Sequence, residues 1–191
     1  MTRNTFSSTG SKEPSLNWFD RIGRRRLLTF ATVAALHAVA DSQPAFAAND
    51  AGVTAANKRK VEAALTAWKN GTGNIADLLS DDIRWTIVGN TPASGTFVGK
   101  TDLLEKVLKP FGARFSASAD KFRPIAIKGI YGDGDIVVAF FDGKGTANDG
   151  KPYANTYAWF LRLKDGLVVD ATAFFDSMAF NELWSRVKPI L

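Results

Sequence analysis

The stretch Ile130-Tyr131-Gly132-Asp133-Gly134-Asp135-Ile136-Val137-Val138-Ala139-Phe140-Phe141 places an Asp-Gly pair between two apolar runs. Both positions of such a pair tolerate positive φ, so the chain can reverse there in a tight hairpin. Two further turns punctuate the downstream sequence, Asn148-Asp149-Gly150 and Asp165-Gly166. They divide it into four strands, near 122–131, 135–142, 152–163 and 167–175. Residues 136–141 are apolar at every position, which predicts a central strand covered on both faces.

Upstream, the period changes from two to 3.6. Val61, Ala64, Leu65 and Trp68 form one apolar stripe. They predict a helix from an N-cap at Thr54 to about Lys69, after a flexible start at 48–53. Gly71 and Gly73 end it. Asn74 caps a short second helix, 75–79. Residues 82–88 alternate polar and apolar as a half-buried strand, and a short strand follows near 96–98. Thr101 caps a third helix to about Leu108, with Asp102 and Glu105 near its positive end. A last helix runs from about Ser177 to Lys188. Helices followed by a run of hairpins read as α+β. Hairpins twist and curl, so the three N-terminal helices can close one end of a cone-shaped, curved antiparallel sheet. Unless large side chains fill it, the middle is an apolar pocket.

The first 47 residues differ in kind from this domain. Gly23-Arg24-Arg25-Arg26-Leu27-Leu28-Thr29 ends a polar stretch, an apolar run follows to Ala40, and Pro44 precedes Ala45-Phe46-Ala47. That is the charged, apolar and cleavage order of an export signal. The run is about 14 residues, short of the roughly 20 that a membrane-spanning helix needs. Paired arginines before Leu-Leu resemble a twin-arginine signal. The expectation is a leader over 1–47 that engages the twin-arginine export machinery and is cleaved near Ala47/Ala48. The domain at 48–191 would then be periplasmic or secreted. The leader holds six of the 24 basic residues and three of the 19 acidic ones, so removing it lowers the net charge from +5 to +2. The basic character belongs mostly to the leader and gives no reason to expect nucleic acid as a partner.

The chain has no cysteine, and its one histidine, His37, lies in the leader. Disulfides, thiol nucleophiles and any histidine base are therefore excluded for the domain. Zinc and most transition metals lose their usual ligands. The sequence calls for no metal and no cofactor.

Four stretches, taken in order, resemble the nuclear transport factor 2-like superfamily, in particular its SnoaL-like and ketosteroid isomerase-related group. They are Asn70-Gly71 through Leu78-Leu79-Ser80-Asp81-Asp82; Trp85 to Gly89 with Ser94-Gly95-Thr96-Phe97-Val98-Gly99-Lys100; Tyr153-Ala154-Asn155-Thr156-Tyr157; and Asp165-Gly166 through Phe174-Phe175-Asp176. The resemblance implies a cone with a deep pocket, and a homodimer packed through the sheet. It also implies a choice among isomerases, cyclases, dehydratases, hydrolases and binding or assembly modules. The isomerase carboxylates and tyrosine would fall near Ile87, Ala158 and Ala64, all apolar here, with no carboxylate within one position. The dehydratase pattern needs histidine.

Asp176 remains as the catalytic candidate. In cyclase-type members an acid at this place lies at the pocket, and desolvation by Phe174 and Trp85 would raise its pKa toward neutrality. Its other reading is a helix N-cap. Asn155, Tyr157 and Trp159 share one strand face by alternation. With Trp85 and Phe174 they are the ligand-binding candidates: an amide, a phenol and indoles in a greasy wall. The alternative is that the tryptophans simply fill the core. Asp81 and Asp82 read as turn chemistry, and Lys58-Arg59-Lys60 as a solvated helix face. The function expected is an exported pocket that binds or transforms a small apolar organic ligand, by cyclisation, isomerisation or hydration if it is catalytic. The alternative is a non-catalytic ligand-binding, dimerisation or assembly module.

Overall fold

The computed structural model describes residues 45–190, with side chains from residue 50. The expected leader lies outside the described residues except for its last three, which begin α1 (Ala45–Asn70). The helix therefore takes in the supposed flexible start. Thr54 is not its cap: Thr54 Oγ1 accepts from the Gly134 N–H at 2.8 Å, and Asn57 Nδ2 donates to the Gly134 carbonyl at 3.1 Å. Both side chains clasp the turn at Gly134, which pins the helix across the strands on either side of it. Val61 and Leu65 are fully buried on the predicted stripe. After Gly71, Asn74 caps a single 3-10 turn (Ile75–Leu78) through a reciprocal capping box with Asp77.

Six strands form one curved, open sheet: β1 (Leu79–Ile87), β2 (Gly95–Val98), β3 (Arg123–Asp133), β4 (Ile136–Thr146), β5 (Pro152–Lys164) and β6 (Leu167–Phe175). Their order is β2-β1-β6-β5-β4-β3. The three expected hairpin reversals are present, and β4 lies inside the sheet between β3 and β5. One pairing departs from the antiparallel expectation. β1 and β6 run parallel, with Trp85 beside Ala171 and Ile87 beside Ala173. Hairpin signals are local and carry no information about this long-range pairing.

The inner face of β5 carries Tyr153, Asn155, Tyr157, Trp159, Leu161 and Leu163, all buried, while alternate residues face out. The inner face of β6 is small at its middle, with Ala171 and Ala173, ahead of Phe175 at its end. Trp159 lies opposite Ala173 in the ladder. This pairing of large with small leaves space on the concave side. Glycine shapes the other flank. A Cβ on Gly145 would lie 2.7 Å from the Phe122 backbone, so Gly143 and Gly145 on the inner face of β4 admit the chain as it enters β3.

The third predicted helix is longer than its pattern suggested. α2 (Lys100–Leu103), a π-helical turn (Leu104–Leu108), α3 (Lys109–Gly112) and a 3-10 turn (Ala113–Phe115) run on without a break. Gly99, not Thr101, is the N-cap, and it needs no side-chain bond. The Lys109 N–H reaches back five residues to the Leu104 carbonyl, and Pro110, which has no N–H to give, follows at the junction. Helix α4 (Ser177–Arg186) closes the described fold. No helix among the described residues is long and apolar enough to cross a membrane.

Candidate functional site

The concave side of the sheet holds a cavity of about 380 Å³. Its floor comes from the strands: Trp85 and Ile87 of β1, Tyr157 and Trp159 of β5, Ala173 and Phe175 of β6. Helical segments roof it, with Trp68 of α1, Ile75, Leu104, Val107, Phe111, Phe115 and, from α4, Phe180. Phe122, just ahead of β3, completes the wall.

These rings brace one another. Trp159 stacks on Trp68 with centroids 6.2 Å apart and meets Trp85 edge-on at 5.2 Å. Tyr157 stacks on Phe141 at 5.0 Å, Phe122 meets Phe111 edge-on at 4.9 Å, and Phe175 lies 4.8 Å from Phe180. Each such pair contributes roughly 0.5–1.5 kcal/mol beyond its buried area. The rings of the wall thus hold one another in place.

Polar groups are few. Lys109 and Lys121 are exposed and stand where the cavity meets solvent. Lys109 pairs with Glu105, and Lys121 Nζ donates to the Phe115 carbonyl at 3.2 Å and to that of Ser116. Asn74 uses its Oδ1 on the Ala76 N–H, 3.0 Å away. Deeper in, Tyr157 is buried and its Oη lies 3.0 Å from Tyr153 Oη. Burial pushes both phenols above the ordinary tyrosine pKa, that of Tyr157 well above it. Neither is ionised at neutral pH. Among the described residues the lining contains no Asp or Glu, and no group of three or more His, Cys, Asp or Glu could hold a metal.

Of the residues singled out from the sequence, Trp85, Tyr157 and Trp159 lie together in the cavity wall. The other three do not. Asp176 is exposed, and its Oδ1 accepts from the Met178 N–H at 2.8 Å, capping α4. Its carboxylate serves the helix end and is absent from the lining. Phe174 is 42% exposed on the outer face of the sheet, where it meets Phe160. The pleat of β6 turns its neighbour Phe175 inward instead. Asn155 is buried behind the wall. Its Nδ2 donates to the Asp176 carbonyl and to Tyr153 Oη, and its Oδ1 accepts from the N–H groups of Asp176 and Thr156. It ties the end of β6 to β5. Asp81 and Asp82 are exposed in β1, away from the cavity.

Phe111, Phe115 and Phe122 also line the cavity, and their signal in the sequence is weak. Phe111 and Phe115 stand four apart, a helical spacing, but Pro110 and Gly112 between apolar residues read as a helix stop.

The SnoaL-like domain family model matches residues 61–171, which takes in β1 to β5, the first half of β6 and most of the roof, and stops short of Ala173, Phe175 and Phe180. The chain belongs to the SnoaL-like domain family. No curated protein matches it. Solved structures of the same nuclear transport factor 2-like fold do. Bal32a, from a soil-derived mobile gene cassette, is 19% identical with a TM-score of 0.55, over 69% of this chain and 98% of that one. A nuclear transport factor 2-like protein from Burkholderia thailandensis is 19% identical with a TM-score of 0.53, over 66% and 95%. TerC, co-crystallised with polyporic acid, is 20% identical with a TM-score of 0.51, over 67% and 97%. At these identities the likeness to the solved structures is one of fold. What this SnoaL-like domain binds has to come from its own wall.

Proposed function

We propose that this domain binds a small, largely aromatic organic molecule in the cone. The observation that carries the reading is the cavity of about 380 Å³, walled by rings on the sheet, the helices and the entry to β3. An apolar cavity of about 150 Å³ takes one benzene, so this one has room for a molecule of two rings or so. Flat apolar guests suit such walls, because stacked and edge-on contacts replace water at little entropic cost.

The geometry supports binding over carboxylate acid–base chemistry. A general base must reach the proton it removes, and the Asp176 carboxylate is engaged at the N-terminus of α4. The ligand-binding module, the alternative from the sequence, is therefore the reading we adopt. We further propose that the 1–47 leader carries the folded domain through the twin-arginine machinery to the periplasm. A second copy would pack on the outer face of the sheet around Phe160 and Phe174.

Calorimetric titration with 2-isopropylnaphthalene, a two-ring hydrocarbon, tests the central point. Saturable binding at one site is expected, lost in Ala173→Leu, whose side chain grows into the cavity. A folded protein that gives no saturable heat, or an Ala173→Leu variant that binds as well as the parent, would remove the cavity as the site.

A further inference from the structure

The hydroxyls of Tyr153 and Tyr157 are within bonding distance, and either could donate to the other. Asn155 decides between them. The N–H groups of Thr156 and Asp176 must face its carbonyl oxygen, at 2.8 and 3.0 Å. The amide orientation is thereby fixed, and the atom 2.9 Å from Tyr153 Oη is the donor Nδ2. Tyr153 Oη is an acceptor from Asn155, and its own proton needs a partner. Among the described residues the one acceptor within reach is Tyr157 Oη. The rings of Phe111, Phe115 and Phe122 pack around Tyr153. If Tyr157 donated instead, the Tyr153 proton would be stranded against those rings, and a buried donor left unmade is costly. With Tyr153 donating, the unmatched proton is that of Tyr157, whose side chain forms part of the cavity wall.

We infer that Tyr157 offers an oriented O–H to the cavity, and that the bound molecule carries a carbonyl-type oxygen, as in an aryl ketone or quinone, to accept it. This rests on the cavity reading above and narrows it. Tyr157 touches the ligand; Tyr153 and Asn155 are positioning residues that set the direction of the relay. Each bond polarises the next, so the last O–H is a better donor than an isolated phenol. Burial keeps that hydroxyl protonated, so it acts as a donor rather than as a base. The stack of Tyr157 on Phe141 fixes the ring plane, and with it the direction of the O–H.

The test compares 2-acetylnaphthalene with 2-isopropylnaphthalene, which differ by a carbonyl oxygen in place of a methyl group. Tyr157→Phe removes the oxygen and keeps the ring. Its affinity for the ketone is expected to fall about tenfold, the usual worth of one good hydrogen bond. Its affinity for the hydrocarbon stays the same or rises. The infrared carbonyl band of the bound ketone is expected below its position in hydrocarbon solvent, moving back in Tyr157→Phe and part-way back in Tyr153→Phe. A purely structural role for Tyr153 would leave that band in place. If both probes bind and the ketone shows neither the shifted band nor the selective loss, the inference is overturned while the cavity reading stands. If neither probe binds the folded protein, both are overturned.

Discussion

Gly143→Ala is a small change with a calculable consequence. The residue sits on the inner face of β4, opposite Asn155 of β5, with an ordinary strand backbone. On backbone entropy alone, alanine there would stabilise by about 0.4–1 kcal/mol. The surroundings reverse the sign. The new Cβ would lie 2.8 Å from Phe122 Cε2, closer still to Cζ, and 3.2 Å from Tyr157 Cε2. Carbon atoms pack best at about 3.5–4.0 Å, so the Phe122 ring, whose Cζ is the nearest atom, must retreat by roughly 1.2–1.7 Å. It cannot do so freely, because it also contacts Trp68, Phe111, Phe115 and Tyr153. Overpacking of this kind costs about 1–3 kcal/mol. The net expectation is a loss of about 1–2 kcal/mol, a fall in Tm of roughly 3–8 °C for a domain of this size. Thermal unfolding followed by near-UV circular dichroism measures it, and the affinity for 2-isopropylnaphthalene should fall in parallel as the ring moves. Phe122→Leu in the Gly143→Ala background should recover part of the stability, because the two changes share a contact. A Gly143→Ala protein as stable as its parent would refute this packing of Phe122 over β4.

Asp176→Ala should cost about 1 kcal/mol, the usual worth of an N-cap, and leave the affinity for either naphthalene probe unchanged. A large loss of ligand affinity without a loss of stability would return Asp176 to the site. Alkaline unfolding should expose the buried phenols. Their pKa values are higher in the fold than the ordinary 10.0, so stability is undiminished below that pH. It then declines as pH rises above it, by up to about 1.4 kcal/mol per pH unit for each tyrosine. Tyr157→Phe should flatten that decline in urea titrations between pH 10 and 11.5; an unaltered slope would mean that the phenol is not held protonated. On the outer face, Phe160→Ser with Phe174→Ser should convert a sedimenting dimer to monomers without loss of helix content. A parent protein that sediments as a monomer would dispose of the proposed dimer.

What the sequence disclosed was what is local. The α1 stripe, the Asn74 cap, the Asp-Gly reversals and the alternation along β5 each depend on residues a few positions apart. They place Tyr157 and Trp159 on one face. The parallel pairing of β1 with β6 joins segments some 85 residues apart, and no local pattern encodes it. The phase of β6 was lost for a related reason. Phe174 and Phe175 are equally apolar, so the pattern cannot say which one faces in; the register with β5 does. Asp176 was ambiguous because a carboxylate serves equally well as a base and as a cap, and only its distance to the Met178 N–H separates the two. Asn155 read as a pocket amide because side-chain type says nothing about which partners will claim it. Gly143 and Gly145 held an unread signal: glycines two apart on a buried strand face mark a close approach by something large, here Phe122.

A crystal structure of the protein saturated with 2-isopropylnaphthalene examines the account at its root. Electron density for the probe is expected between Trp85, Trp159 and Phe122, with the aromatic wall unmoved. Density for the probe on the outside of the sheet, or side chains collapsed across an interior too full to admit it, would contradict the account.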